Sequence, residues 1–435
     1  MKLCFVLAGL LVFATGASAQ EVQETPATVV ISDTRAAQLL VANNRLDDAR
    51  RLLDRILAAR PDDSEALFLS ATVAVAQEDY DTAISLYRRI LVREPDAERV
   101  RLDLARAFFL KADYDNADRQ FRFARAGDID NAVKANVDHF LAAINRLREW
   151  SLNFSLALAP DTNQNAATAA DHIDLYGLPF VLGTGARRQS GVGIAGNIGA
   201  EWSPLLTDTI KARVGGYFSR TDYSGGQFDD MTFAAYAGPQ WLLGNWDASL
   251  LLTGFERWYA NHSYLRGAGG RLAVNYGIAS DILLGMTVGG QSLSNVFIPE
   301  QGGPLWSAQV QGSYVLSPSS LFQVQLGLNR QDAELAPYSY TSLWLGAGYQ
   351  QDLPFGFSAG IQPAYFISRY DAALAAFGKS RADNSAVMTI TLLNRRLDYH
   401  GFTPLFSWTY TDQHSNIALY SYSRSQFQIG VTSLF

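Results

Sequence analysis

Apolar and polar residues alternate in short segments over the last two thirds of the chain, from Trp150 onward. Between positions 322 and 329, large apolar residues occupy the even positions, and Gln, Gly and Asn occupy the odd ones. This period of two gives a β-strand one face that suits hydrocarbon and one that suits a watery lumen. Fourteen such segments begin near Ser151, Ser190, Asp208, Met231, Asp247, Tyr264, Ile282, Trp306, Leu321, Ser342, Phe355, Asn384, Pro404 and Ser425. The pattern predicts a transmembrane antiparallel β-barrel of about fourteen strands.

The connections between these strands differ in length. Those after the even-numbered strands are mostly short and turn-like, as at Ser203-Pro204 and Gly244-Asn245. Those after the odd-numbered strands are longer and cover 159–189, 292–305, 370–383 and 412–424. Outer-membrane barrels have short periplasmic turns and longer outer loops. We therefore expect the segment before the first strand to lie in the periplasm.

That preceding segment contains a helical repeat. Leu46-Asp-Asp-Ala49, Tyr80-Asp-Thr-Ala83 and Tyr114-Asp-Asn-Ala117 are copies of one pattern at the 34-residue period of the tetratricopeptide repeat. The three Ala residues fit the small position where the two helices of a repeat touch. Residues 130–149 follow as an amphipathic helix that would cap the stack, since each repeat buries its apolar face only against a neighbour. The fold class predicted for the whole chain is an N-terminal α-helical solenoid followed by the barrel.

The solenoid has two interpretations. It is either a plain spacer or a concave groove that grips peptide or protein. In the second case the first helix of each repeat lines the groove. The repeat phase then assigns Glu65, Phe68, Arg99, Leu102, Arg106 and Phe109 to that surface.

Both ends of the chain carry sorting signals. Lys2, an apolar run and Ala17-Ser18-Ala19 have the order of a cleaved secretory signal. We therefore predict a signal peptide at 1–19, a periplasmic repeat domain at 20–149 and an outer-membrane barrel at 150–435. Cys4, the single cysteine, leaves with the signal peptide. A final strand ending on Phe resembles the signal read by the bacterial barrel-insertion machinery, with Phe427, Ile429, Val431 and Phe435 on one face.

Little in the sequence indicates chemistry. With 35 basic and 42 acidic residues the chain is mildly acidic, which argues against nucleic acid as a ligand. Asp161, Asn163 and Asn165 match the first ligands of an EF-hand loop, but Ala166 stands where that loop requires Gly. The histidines show no metal-ligand spacing. We expect no enzymatic activity, no metal site and no cofactor.

Several loop segments also resemble a known family. The segments are Ala159-Pro-Asp-Thr-Asn-Gln-Asn165, Gly401-Phe-Thr-Pro404 and Ser415-Asn416-Ile-Ala-Leu-Tyr420-Ser-Tyr422, together with the terminal Phe435. They look like the signature of the surface lipoprotein assembly modulators, often called Slam proteins. The resemblance implies a translocon-like role in the outer membrane that moves lipoproteins, or related secreted ligand-binding proteins, from the periplasm to the surface. Cargo protein, the barrel-insertion machinery, periplasmic chaperones and outer-membrane lipid are the implied partners.

The predicted topology places two of these motifs near one seam. In a closed barrel strand one pairs with strand fourteen, so Asp161, Asn163 and Asn165 should approach Ser415 and Asn416. They would form a hydrogen-bonded latch where the barrel opens sideways, or they would merely cap tight turns. Two rival functions stay open: a porin for exopolysaccharide export, which tends to use many more repeats, and a small-solute channel.

Overall fold

The structure is a computed structural model that describes residues 32–279, 281–397, 399 and 401–433. The predicted signal peptide and Phe435 lie outside the described residues. Within these described residues, seven helices precede the strands. They are α1 (Asp33–Ala42), α2 (Leu46–Ala59), α3 (Ser64–Ala76), α4 (Tyr80–Leu91), α5 (Glu98–Leu110), α6 (Tyr114–Arg125) and α7 (Asn131–Leu147). None of the helices in the described ranges is long and apolar enough to cross a membrane.

The helices pair as three repeats followed by a capping helix, which confirms the predicted solenoid. Each repeated tetrapeptide begins the second helix of its pair, in α2, α4 and α6. Ala49, Ala83 and Ala117 have no exposed surface, because the helices of each repeat meet there. The side chains of Asp79 and Asp113 cap α4 and α6 by accepting hydrogen bonds from the backbone N–H groups of Thr82 and Asn116.

The strands form a closed antiparallel barrel of fourteen, as predicted. They are β1 (Trp150–Asp161), β2 (Gly191–Trp202), β3 (Ile210–Tyr223), β4 (Asp230–Leu243), β5 (Trp246–Tyr259), β6 (His262–Ala279), β7 (Ile282–Asn295), β8 (Gly303–Ser317), β9 (Ser320–Gln331), β10 (Tyr340–Asp352), β11 (Phe357–Leu374), β12 (Lys379–Asn394), β13 (Thr403–Ser415) and β14 (Tyr422–Thr432). Each strand pairs with the next, and β14 returns to β1. The short strand Leu205–Thr207 adds to β3 outside this cylinder.

The strands extend further toward the cell surface than the alternation indicates. β12 begins at Lys379 rather than near Asn384, and three of the four connections predicted to be long shrink to 296–302, 375–378 and 416–421. The exception is 162–190, which we call loop 1. It contains a hairpin of His172–Leu175 with Leu178–Val181, and the N–H of Tyr176 donates to the carbonyl of Ala376 at 2.7 Å. Loop 1 therefore reaches across to the β11–β12 turn.

The two faces of the barrel wall differ as the alternation predicts. Val324, Leu326 and Leu328 of β9 are exposed on the outside, where only lipid can cover them. At the end of the barrel where β1 begins, the rings of Trp150 and Trp202 lie 6.0 Å apart. Paired aromatic rings at a barrel end suit the boundary between lipid and water.

Candidate functional site

The junction between β1 and β14, here called the seam, is the sparsest ladder between the described barrel strands. Toward β2, β1 is paired at every residue from Trp150 to Asp161. Toward β14, the pairing runs from Ser155 to Leu158 and then only at Asp161. Pro160 lies in the gap, and it has no backbone N–H to donate. The seam is therefore the place where the barrel wall is held by the fewest backbone hydrogen bonds.

Side chains close the outer end of the seam. The carboxylate of Asp161 accepts from Nη2 of Arg424 at 2.6 Å and from Nε of Arg424 at 2.9 Å. The hydroxyl of Tyr223, on β3, donates to the same carboxylate at 3.0 Å. Asp161 thus links β1 to β14 and to β3, and its side chain is only 1% exposed. An ion pair withdrawn from water is screened far less than one on the surface.

Asn163 adds a second link across the seam. Its side-chain amide is fully buried and donates to the carbonyl of Ser423 at 3.1 Å and to the carbonyl of Ala167 at 2.8 Å. The backbone N–H of Thr162 donates to the carbonyl of Ser425 at 3.0 Å. The first turn of loop 1 is therefore bonded to the start of β14.

The other residues of the proposed latch bond elsewhere. The Asn165 amide stays inside loop 1, donating to the carbonyl of Arg187 at 2.8 Å and accepting from the N–H of Gln189. Asn416 accepts from the N–H of Ala382 at 2.9 Å and donates to the carbonyl of Ser380 at 2.8 Å. Those two partners belong to β12, two strands from the seam. The oxygen of Ser415 accepts from the N–H of Ile417, within its own turn.

The remaining motif residues lie at strand ends. Gly401 lies shortly before β13 and has a φ of +85°, a conformation that favours glycine. Pro404 lies opposite Val431 of β14, and Tyr422 begins β14. The ring of Tyr420 lies 3.7 Å from the guanidinium carbon of Arg381, a cation–π contact. Ile429 and Val431 face lipid near the inner end of the seam.

A second candidate region is the contact between the repeat domain and the inner rim of the barrel. Arg101 of α5 is 2% exposed, and its Nη1 lies 3.6 Å from Oδ2 of Asp352 at the end of β10. Arg395, after β12, contacts the same carboxylate oxygen at 2.9 Å. Removal from water lowers the pKa of Arg101 to about 10, although Asp352 opposes the shift. Two guanidinium groups thus share one buried carboxylate between the two domains.

Further polar contacts attach the repeats to the rim. The Nζ of Lys211 donates to the carbonyl of Asn145 in the last turn of α7 at 3.1 Å and to the carbonyl of Arg148 just after it, and a cation suits the negative end of a helix dipole. The other pairs are Arg125 with Asp281 at 3.6 Å, Asp96 with Ser319 at 2.6 Å, and the carbonyl of Val92 with the N–H of Phe355 at 2.7 Å. These contacts, together with the Arg101–Asp352–Arg395 cluster, follow the rim from β3 round to the end of β12. Helix α6 is thereby held against the inner mouth of the barrel.

The residues assigned to the groove lie on α3 and α5, away from the rim contacts. The guanidinium carbon of Arg99 lies 5.3 Å from the centre of the Phe68 ring. Glu65 accepts from the side chain of Gln38 at 2.6 Å, and Phe109 packs edge-on against Phe140 of α7. Arg99 and Arg106 are exposed, whereas Leu102 is half-buried. The surface therefore combines aromatic rings with exposed cations.

Sequence reasoning missed Arg424, Tyr223 and the Arg101–Asp352–Arg395 cluster. A signal for Arg424 exists, because it is the only charged residue in Tyr422–Thr432. A lone charge in a membrane strand requires a partner or a wet lumen. The cluster has no such signal, since its three members come from distant parts of the sequence.

A closed barrel with a lipid-facing outer surface and a helical repeat domain on one rim defines an outer-membrane protein whose repeats lie in the periplasm. Residues 150–435 match the family described as surface lipoprotein assembly modifier, and residues 34–98 and 68–121 match a tetratricopeptide repeat. The chain belongs to the surface lipoprotein assembly modifier family. The resemblance drawn from the loop motifs is thereby confirmed.

Relatives of known name agree with this membership. Surface lipoprotein assembly modifier 2 of Haemophilus influenzae is 22% identical over 73% of this chain and 66% of its own length. A second protein of that species, named surface lipoprotein assembly modifier, is 22% identical over 73% of this chain and 65% of its own length. The chain thus spans slightly less than two thirds of each relative. Among solved structures, a loop-deletion form of OmpT, an outer-membrane protein of Vibrio cholerae, matches with a TM-score of 0.36 and 8% sequence identity. The match covers 65% of this chain and 99% of the OmpT chain.

Proposed function

We propose that this protein promotes delivery of lipoproteins, or of related secreted ligand-binding proteins, from the periplasm to the cell surface. Family membership supports lipoproteins as the class of cargo. The observation that carries the mechanism is the sparse seam, held at its outer end mainly by Asp161 and Asn163. In this proposal the barrel acts as a passage or as a lateral gate, and the seam is where it opens.

The repeat domain would engage the cargo, or a chaperone that carries it. Arg99, Arg106 and the ring of Phe68 offer charge and stacking to an extended polypeptide. Cation–π and aromatic contacts of this type recur where polypeptides are recognised. Because the solenoid is attached to the rim through its other surface, a polypeptide bound in the groove would be held close to the inner mouth.

Two rival functions, exopolysaccharide export and small-solute passage, require a continuous open lumen. The arrangement at the inner rim disfavours both. Arg119, Arg122 and Phe123 of α6 face Gln323 and Gln350 of the barrel wall across a space of about 280 Å³. A helix in that position narrows the inner entrance. We expect the purified protein to be mostly closed in a planar bilayer, whereas a steady large conductance would favour the rivals.

The direct test is surface display. Candidate lipoproteins would be expressed with and without this chain in Gram-negative cells, and intact cells would be stained for each. The proposal expects staining that depends on the chain, with equal total lipoprotein in both cultures. Equal staining with and without the chain, for every lipoprotein encoded near its gene, would overturn it.

A further inference from the structure

The repeat domain contacts the inner rim only sparsely around the seam, where the hydroxyl of Ser151 on β1 donates to the carboxylate of Asp115 on α6 at 3.2 Å. The polar contacts described above run from β3 round to the end of β12. Below β13, β14 and β1 there is instead an open cleft of about 720 Å³ between the repeats and the barrel. Its helical wall comes from α4, the end of α5 and the start of α6. Its roof, on the barrel side, comes from Leu152, Phe402, Ser433, Gly401 and the two arginines Arg395 and Arg396. We call this space the seam cleft.

The roof of the seam cleft is the inner end of the seam itself. The backbone N–H of Ser433 donates to the carbonyl of Phe154 at 2.9 Å, and the Ser433 hydroxyl accepts from the N–H of Phe154 at 2.9 Å. The ring of Phe402 lies edge-on to the ring of Phe154, with centres 5.8 Å apart. These are the last described hydrogen bonds between β14 and β1. Whatever occupies the cleft therefore lies where the seam would begin to part.

The lining of the seam cleft is part apolar and part charged. Leu152 is 68% exposed on the outer, lipid-facing side of β1, and Phe402 is partly exposed beside it. The helical wall carries charges of both signs, such as Asp81 in an ion pair with Lys111 at 2.5 Å, and exposed Arg89. The cleft thus has an apolar edge on the outer side of the barrel and a charged edge along the helices. A ligand that fits both sides must be amphiphilic.

We propose that the seam cleft binds the acylated N-terminal segment of a lipoprotein. The acyl chains would lie in the leaflet along Leu152 and Phe402, and the attached polypeptide would pass along α4. The charges of both signs suit a polypeptide, and the volume lies within the range of ~300–1,000 Å³ typical of ligand sites. This inference rests on the proposed function and adds a site that distinguishes lipoproteins from unacylated proteins.

Photo-crosslinking from the cleft tests the inference in cells. Ser85 is exposed on α4 and lines the cleft, so a benzoyl-phenylalanine placed there should disturb no packing. Arg55, exposed on α2 and outside the cleft lining, is the control position. The cargo would be made in its acylated form and in a soluble periplasmic form with the lipid-bearing cysteine replaced. We expect at least about tenfold more cross-linking of the acylated form at Ser85, because each CH₂ taken from water strengthens binding.

A bulky substitution gives an independent measurement. Ser85→Trp should fill part of the cleft and reduce display of the lipoprotein, while Arg55→Trp should leave it unchanged. Heat-modifiable migration on a gel would show that the barrels of both variants assemble.

Three results would each overturn the inference: equal cross-linking of the two cargo forms, no cross-link at Ser85, or normal display by Ser85→Trp. If deletion of the whole chain leaves display unchanged, the proposed function itself fails. If display needs the chain but not the cleft, this inference alone fails.

Discussion

Asp161 of β1 and Arg424 of β14 form an ion pair across the seam, with 2.6 Å between Oδ2 and Nη2. The carboxylate side chain is 1% exposed and the guanidinium side chain is 20% exposed. On the lumen side, Tyr223 donates a third hydrogen bond to the same carboxylate. Side chains therefore reinforce the few backbone hydrogen bonds at the outer end of the seam, next to the gap in the ladder at residues 159–160.

Removing the charge of Asp161 should weaken the closed barrel. In Asp161→Asn the guanidinium of Arg424 loses its counter-charge. Breaking a buried ion pair lowers the free energy of unfolding by about 3–5 kcal/mol. We expect a loss at the low end of this range because Arg424 is partly exposed. The measurement is the temperature at which the folded band converts to the unfolded band on a gel, which should fall.

The control for this variant is Asp222→Asn. Asp222 pairs with Arg220 within one strand, and its side chain is 46% exposed. An exposed pair of this type contributes about 0–1 kcal/mol. Equal shifts in Asp161→Asn and Asp222→Asn would contradict a special role for the seam pair.

The rim cluster should hold the repeat domain in place. Asp352→Asn leaves Arg101 and Arg395 with no shared carboxylate, so we expect the repeat domain to detach more often. Trypsin should then cleave faster after Arg148, in the linker before β1. A loss of about 3 kcal/mol in the contact would raise the population of the detached state, and with it the cleavage rate, by about a hundredfold. Asp62→Asn, which removes an exposed pair with Arg93, should leave the rate unchanged, and a similar increase there would contradict the assignment.

The groove should contribute to cargo capture. Reversing two of its cations, Arg99→Glu with Arg106→Glu, removes the cation–π contact with Phe68 and inverts the charge of the groove. We expect display on intact cells to fall about fivefold, since each exposed cation–π contact contributes about 0.5–1 kcal/mol. Arg55→Glu, which reverses a surface cation outside the groove, is the control and should leave display unchanged. Display unaffected by the double reversal would leave the solenoid as a spacer.

The repeat domain should lose stability in alkali. Burial raises the pKa of Tyr87 to about 12. The folded domain keeps this hydroxyl protonated at a pH where the unfolded chain, with an ordinary pKa of about 10, has ionised. Stability is therefore full below pH ~10 and falls as the pH rises through ~12. Helical circular dichroism during urea unfolding should show this loss in the native protein and a smaller one in Tyr87→Phe.

The repeats and the strand number could be predicted because each depends on a local period. Ala49, Ala83 and Ala117 are forced to be small by helix contact, and the alternation at 322–329 is forced by lipid on one side. The partners of Asp161 could not be predicted, since they depend on the register between strands at opposite ends of the chain. Asn416 shows the same limit, because it bonds to β12 rather than to the seam. Nor could the sequence reveal how α6 lies against the rim.

The central claim is that the seam must part for display, and a pair of disulfides tests it most directly. Leu158 lies opposite Ile429 of β14 across the seam and opposite Ile194 of β2 on its other side. Opposite residues in antiparallel strands are about 4.5–5.5 Å apart, a spacing that disulfides accept. Cys4 is the only native cysteine and lies in the predicted signal peptide. Leu158→Cys with Ile429→Cys locks the seam, and Leu158→Cys with Ile194→Cys locks the neighbouring ladder.

The measurement is lipoprotein display on intact cells before and after reduction, with both disulfides verified on a gel. We predict that the seam disulfide abolishes display, that reduction restores it, and that the β1–β2 disulfide has no effect. Normal display from a barrel whose seam is fully locked would contradict the account.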